Sequence, residues 1–155
     1  MKLIAHRGNT HGPDVEHENN PDYIDKCLSE GYDAEIDARY DPLTTVFWLG
    51  HDEPQYKVSW KWMANRHELL WIHCKDITTL HEFTKYEHAG YQYFWHDQDD
   101  FTLTSTNMIW TFPGKPYTPR SILVMPEHNT KIKNLNDLRA VNCLGICSDY
   151  VAHLK

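Results

Sequence analysis

Two pairs of residues spaced two apart carry the first chemical signal. Glu35 and Asp37 flank Ile36 within the run Tyr32 to Ala38, and His73 and Lys75 flank Cys74 at the end of the apolar run from Leu69. Alternate side chains of an extended chain share a face, so each pair reaches one side of its strand together. Two carboxylates held side by side repel unless a cation lies between them, and hard divalent ions take oxygen ligands. Glu35 and Asp37 are therefore expected to share a metal ion. The alternative, an exposed strand with alternating acids, sits poorly with the apolar flanks. Beside these carboxylates His73 is expected as a further ligand and Lys75 as a phosphate-binding cation.

Other polar residues also stand where apolar runs stop. His6 and Arg7 follow the first run, His51 follows Gly50, His96 and Asp97 follow Tyr91 to Trp95, Glu127 and His128 follow Ile122 to Met125, and Asp149 follows Leu144 to Cys147. Phosphodiester cleavage needs neutralised phosphate oxygens, a base for the nucleophile and an acid for the leaving group. Arg7 offers a planar fork for phosphate, Lys75 a point charge, and imidazoles the proton transfer. With eleven histidines in the chain, position has to decide, and His6 and His51 stand out at the first strand's end and after Gly50. His96, Glu127 and Asp149 are further pocket candidates. Trp110 is expected at the pocket mouth, with core packing the default for most of the aromatic residues.

The elements that must position these groups follow from the patterning. Strands are expected at Lys2 to Ala5, Tyr32 to Ala38, Leu69 to Cys74, Tyr91 to Trp95, Thr102 to Thr104, Met108 to Phe112, Ile122 to Met125 and Leu144 to Cys147. An excursion after Asp41-Pro42 supplies Thr45 to Leu49 as a further extended piece beside the second strand. Helices are expected from Pro21 to Glu30, with Asn20 as cap and Gly31 as stop, over Ser59 to Arg66, and from Ile77 to about His88. Strands interleaved with helices predict parallel βαβ units, and eight strands predict a closed α/β barrel. Such barrels usually take about 250 residues, so at 155 residues several outer helices must be missing. The connections at Asp97 to Phe101, Ser105 to Asn107 and Pro113 to Arg120 are too short or too rich in Pro and Gly for helices. The expected fold is thus a compact or truncated (β/α)8 TIM-like barrel, one domain over residues 1–155.

Composition bounds the partners. Apolar residues make up 41% and aromatics 13%, enough for a packed core, while the formal charge of -7 argues against a nucleic-acid-coating surface. An anionic ligand must then be held by a local concentration of cations or a metal. No apolar run reaches membrane-spanning length, the first run reads as a core strand, and the four cysteines form no CxxC pair. A cytoplasmic protein with reduced thiols and no membrane insertion is expected.

In order along the first third of the chain stand His6-Arg7-Gly8, Glu18-Asn19, Glu35-Ile36-Asp37 and His51-Asp52. This series resembles the glycerophosphodiester phosphodiesterase family, within the superfamily that includes phosphatidylinositol-specific phospholipase C. Gly145-Ile146-Cys147-Ser148-Asp149 is similar to that family's last strand, which commonly ends in Thr-Asp. The resemblance implies that Glu35 and Asp37 bind one divalent metal with Glu18 as an additional ligand, that Arg7 contacts phosphate, and that His6 and His51 act as general base and acid. It also implies attack by a neighbouring substrate hydroxyl, giving a cyclic phosphate that water then opens. One departure concerns the third strand, where the family usually carries Glu-x-Lys and this chain has His73-Cys74-Lys75. The metal expected is Mg or Ca, with Mn or Zn brought in by His73. The function expected is hydrolysis of a small-molecule or glycan-linked phosphodiester. The alternative is a non-catalytic module that binds a phosphoester or phospho-sugar on the same barrel.

Overall fold

The computed structural model describes residues 1–86, 89–129 and 134–155. Its strands are β1 (Lys2–His6), β2 (Asp33–Asp41), β3 (Val46–Leu49), β4 (Tyr56–Val58), β5 (Leu70–Cys74), β6 (Gln92–Phe94), β7 (Phe101–Leu103), β8 (Ile109–Thr111), β9 (Ser121–Val124) and β10 (Gly145–Ser148). The helices are α1 (Pro21–Ser29), α2 (Trp60–Ala64) and α3 (Ile77–Thr84), joined by 3-10 segments at Pro126–His128, Leu135–Ala140 and Val151–Leu154. The helix expected to run to His88 ends at Thr84 among the described residues, and His88 itself lies outside them.

Each helix begins where its cap chemistry says it should. Asn20 accepts a hydrogen bond from Asp22 N–H at 2.9 Å with Pro21 in the first turn, and Asp76 accepts from Thr79 N–H at 2.7 Å. Ser59 does the same for α2. After α1, Gly31 takes a left-handed φ of 87°, the usual exit from a helix.

All ten strands form one mixed sheet in an α/β arrangement. β2 is its hub, parallel to β1 on one side and to β5 on the other, while its far end, Ala38 to Asp41, pairs antiparallel with β3. β1 continues to β10, β9 and β8 in parallel, and β5 continues to β6. The excursion pairs as expected, and Tyr56–Val58 adds an unforeseen strand against β3. The expectation of eight parallel strands needs correction at β7, which runs antiparallel to β8. Only Thr104 to Met108 separate the two, closed by Thr104 N–H donating to Met108 O at 2.8 Å, whereas a parallel crossover takes a dozen residues or more. No strand ladder joins β6 to β7 among the described residues.

Alternation sorts the side chains into two layers. Ala34, Ile36 and Ala38 of β2 and Leu70, Ile72 and Cys74 of β5 pack with Ile24 and Cys27 of α1, Met63 of α2 and Phe83 of α3. The opposite side is filled by Ile4, Trp71, Phe94, Trp110, Ile122 and Cys147, one residue from each of six strands. This plug is aromatic, with Phe94 and Trp110 centroids 4.5 Å apart and Trp71 and Trp110 5.8 Å apart. Trp71 also donates its indole N–H to Asp33 Oδ2 at 3.0 Å. One alternate position further along β1 and β5, His6 and His73 stand above the plug, with Asp37 of β2 in register with His73. Because Trp71 is fully buried in this layer, Trp71→Ala is expected to lower the unfolding free energy by about 3–5 kcal/mol. Urea titration followed by circular dichroism measures it, and a loss below about 1 kcal/mol would contradict the packing described.

Candidate active site

β2 delivers Glu35 and Asp37 to the plug side, both almost wholly buried. The neighbouring strands bring groups that answer their charge. Arg7 follows β1, donates its backbone N–H to Glu35 Oε2 at 3.2 Å, and holds its Nε 3.1 Å from Asp37 Oδ2. From β5, His73 Nδ1 lies 3.2 Å from Asp37 Oδ1 and 3.9 Å from Glu35 Oε1. Lys75 Nζ lies 3.4 Å from the same Asp37 oxygen. Across β1, Asp149 Oδ1 pairs with His6 Nδ1 at 2.8 Å.

These groups line one cavity of about 670 Å³, with Glu18, His51, His96 and Asp97 on its walls and Trp110, Phe112, Val124 and Met125 on its apolar side. Every one of His6, Arg7, Glu18, Glu35, Asp37, His51, His73, Lys75, His96, Trp110 and Asp149 is brought to it. Two of them, Glu18 and Trp110, take roles other than those expected, and a further candidate, Glu127, falls outside the cavity. Glu18 is engaged by Arg7 Nη1 and Asn9 Nδ2, both at 2.9 Å, and stands outside the group of close metal-type donors. Trp110 belongs to the floor rather than the mouth, because it stacks in the plug. Glu127 does not line the cavity; it accepts from Ser148 Oγ at 2.7 Å and Asp149 N–H at 3.1 Å, and so holds the turn that carries Asp149.

Loop geometry is specified by groups that motif reading passed over. Buried Asn19 accepts from Asp37 N–H at 2.9 Å and donates to Asp37 Oδ2 at 3.0 Å. Buried Asn9 donates to both Glu18 Oε1 and Asp149 Oδ1. Arg39, two further along β2 than Asp37, donates to the carbonyls of Gly50, His51 and Asp52 and so fixes the loop that bears His51. Gly50 is required there, since its φ is 146° and a Cβ would lie 2.1 Å from Glu53 O. A signal for Arg39 was available in the continued period of two from Glu35 and Asp37. An Asn in a loop, by contrast, reads first as a turn former.

The titrating groups are pushed apart. Burial alone would lower His6, but its hydrogen bond to Asp149 and the charge of Glu35 outweigh it and raise its pKa above 6.5. His51, partly buried, is held below 6.5, with Arg7 and Lys75 adding to the effect of burial against Asp37 and Asp52. Burial and the adjacent Asp37 charge raise Glu35. Asp37 would likewise be raised by burial, yet His73, Arg7 and Lys75 together drive it far below the usual carboxylate range.

The donors of Glu35, Asp37 and His73 all lie within 4.8 Å of one another. Ligand atoms about 2.1 Å from a common ion stand roughly 3–4 Å apart, which the 3.2 and 3.9 Å separations match. Asp37 Oδ1 is buried and makes no hydrogen bond, so an acceptor remains for such an ion. Charge agrees, since among the described residues lining the cavity Glu18, Glu35, Asp37, Asp97 and Asp149 stand with two permanent cations, Arg7 and Lys75. The residues present fit a divalent metal.

Compared with models of known protein families, with curated proteins and with solved structures, the chain finds no match. The site geometry therefore carries the functional argument.

Raised as it is, His6 contributes to folding stability fully below about pH 6.5, and that contribution is lost as pH rises through the folded-state value. In Asp149→Asn the main raising interaction disappears while burial remains, so the His6 pKa is expected to fall. Imidazole proton NMR across about pH 4–9, the range in which histidine titrates, reads the shift; an unchanged or higher value would refute the pairing.

Proposed function

We propose that this chain is a metal-dependent phosphodiesterase acting on an exposed phosphodiester of the glycerophosphodiester or sugar- or inositol-linked kind. The observation that carries this reading is the convergence in one cavity of two phosphate-type cations, a close oxygen and nitrogen donor set, and two imidazoles each paired with an aspartate. We also read the sheet as a stripped (β/α)8-type barrel in the order β6-β5-β2-β1-β10-β9-β8-β7. Supporting that reading, the two end strands are bridged by Thr102 Oγ1 donating to Trp95 O and Ser105 N–H donating to Tyr93 O, both at 2.9 Å. Four free cysteines suit a reducing, cytoplasmic setting, and no helix among the described residues is long and apolar enough to cross a membrane.

A divalent ion on Glu35, Asp37 and His73 would polarise a phosphoryl oxygen and offset its charge. Arg7 and Lys75 hold the remaining phosphate oxygens, with Glu18 anchoring the Arg7 guanidinium. Asp149 accepts from His6 Nδ1, leaving Nε2 for proton exchange, and Asp52 at 2.8 Å orients His51 in the same way. One imidazole takes the proton of the attacking hydroxyl and the other protonates the departing alkoxide oxygen as the P–O bond breaks. When water opens a cyclic phosphate the two exchange roles. Between the folded-state pKa of His51 and that of His6, one ring is neutral and the other charged, the combination this exchange needs.

Purified protein is expected to cleave members of a phosphodiester panel, glycerophosphodiesters among them, in a chelator-sensitive manner. kcat/KM should trace a bell in pH with limbs on either side of about 6.5. His51→Ala should reduce kcat by about 10²–10⁴, and Asp37→Ala should remove both turnover and metal binding. Calorimetry that finds tight phosphoester and metal binding with no cleavage, unchanged by His51→Ala, would overturn the catalytic reading in favour of a binding module.

A further inference from the structure

The third member of the donor set is a nitrogen, and its ring is held more firmly than a surface histidine would be. His73 Nε2 lies 2.9 Å from the backbone oxygen of His96. A carbonyl can only accept, so Nε2 carries the proton. The ring also lies nearly parallel to Phe94, centroids 5.2 Å apart and planes 9° apart, which fixes its plane. The nitrogen turned toward Glu35 and Asp37 is therefore Nδ1, which in the neutral ring is a lone pair. Three acceptors then face one point: Nδ1, Glu35 Oε1 and Asp37 Oδ1. Nδ1 approaches Asp37 Oδ1 to 3.2 Å without hydrogen-bond geometry, and the Lys75 ammonium lies 3.4 Å from the same oxygen.

Resting on the metal-dependent reading above, we infer that this site selects a first-row d-block divalent cation, Mn²⁺ or Zn²⁺, over Mg²⁺ and Ca²⁺, with His73 Nδ1 as its nitrogen ligand. Imidazole suits Mn, Fe, Co and Zn ions increasingly well, whereas Mg²⁺ and Ca²⁺ keep to oxygen. An imidazole N–H given to a backbone carbonyl is the arrangement that orients metal-bound histidines and raises their basicity. The His96 main chain and the Phe94 ring are thus positioning groups for the ligand, and the floor of the cavity takes part in choosing the ion.

The test uses the full chain stripped of metal with a chelator. Isothermal titration with Mn²⁺, Zn²⁺, Mg²⁺ and Ca²⁺ is expected to give one equivalent of Mn²⁺ or Zn²⁺, bound at least about tenfold more tightly than Mg²⁺ or Ca²⁺. Electron spin-echo modulation of the Mn²⁺-loaded protein should show a directly coordinated imidazole nitrogen. In His73→Glu that nitrogen signal should vanish and the preference should move toward Mg²⁺ and Ca²⁺ by about the same factor. The wild-type signal stands as a readout even if the variant does not fold. Equal affinity for Mg²⁺, no coordinated nitrogen in the wild type, or a nitrogen signal that survives His73→Glu would each overturn the inference. Diester cleavage followed in the same samples separates the two claims. Chelator-sensitive turnover without a nitrogen ligand removes only the selectivity, and a nitrogen-ligated, selective site without turnover removes only the catalysis.

Discussion

The structure is organised around the burial of two carboxylates, Glu35 and Asp37, on one face of its central strand. Taking charge out of water costs several kcal/mol per ion unless partners replace the lost hydration. β2 is the strand best placed to gather such partners, because it alone is flanked by β1, β3 and β5. From β1 come Arg7 and His6, from β5 come His73 and Lys75, and the loop before α1 contributes Asn19. The compensation is uneven. The Asp37 carboxylate receives Arg7, Lys75, His73 and the Asn19 amide N–H, whereas that of Glu35 keeps a single hydrogen bond from a backbone N–H. One carboxylate is thereby held ionised and the other pushed toward protonation, and the difference marks where a further positive charge is most needed.

The same demand explains the backbone around the cavity. Arg7 has a φ of 53° and Asn19 a φ of 63°, left-handed conformations that cost side-chain-bearing residues energy and persist only when the surroundings hold them. They hold each other, Asn19 N–H donating to Arg7 O at 3.0 Å, and both are tied through their side chains to Asp37. Gly8 stays small because a Cβ there would meet the Tyr23 ring at 2.8 Å. On the far wall Arg39 gathers the three successive carbonyls of the Gly50 loop. The loops bearing Arg7 and His51 are thus anchored to β2 rather than simply attached to its neighbours.

Much of this was legible in the residue pattern. Period-two spacing on Glu35 and Asp37 and on His73 and Lys75 identified one face of two adjacent strands, since strand geometry admits no other reading once the flanks are apolar. Residues closing apolar runs then collected nearly all of the cavity wall. What escaped was set by tertiary partners. Glu127 has the type of a site acid, but its Oε1 is committed to Ser148 and Asp149. Trp110 has the type of a stacking platform, but Phe94 and Trp71 enclose it. The turn into β8 hid its direction because a three-residue strand carries too little pattern to distinguish a hairpin from a crossover, and only the length of the connection decides.

The presence of an imidazole, His73, beside two buried carboxylates gains its meaning from this environment. A third carboxylate beside Glu35 and Asp37 would add negative charge to a pair already divided by burial, and would require stronger compensation from the ion or from Arg7 and Lys75. A neutral imidazole supplies a lone pair without that charge. Its cost is geometric, because a ring nitrogen must be aimed, and the His96 carbonyl and the Phe94 ring provide the aim. The floor of the cavity is the interior plug. Phe94 stacks both on His73 and against Trp110, and so connects the packing beneath the site to the orientation of the His73 ring within it. Core packing and site chemistry are in this respect one structural problem, solved on the same strands.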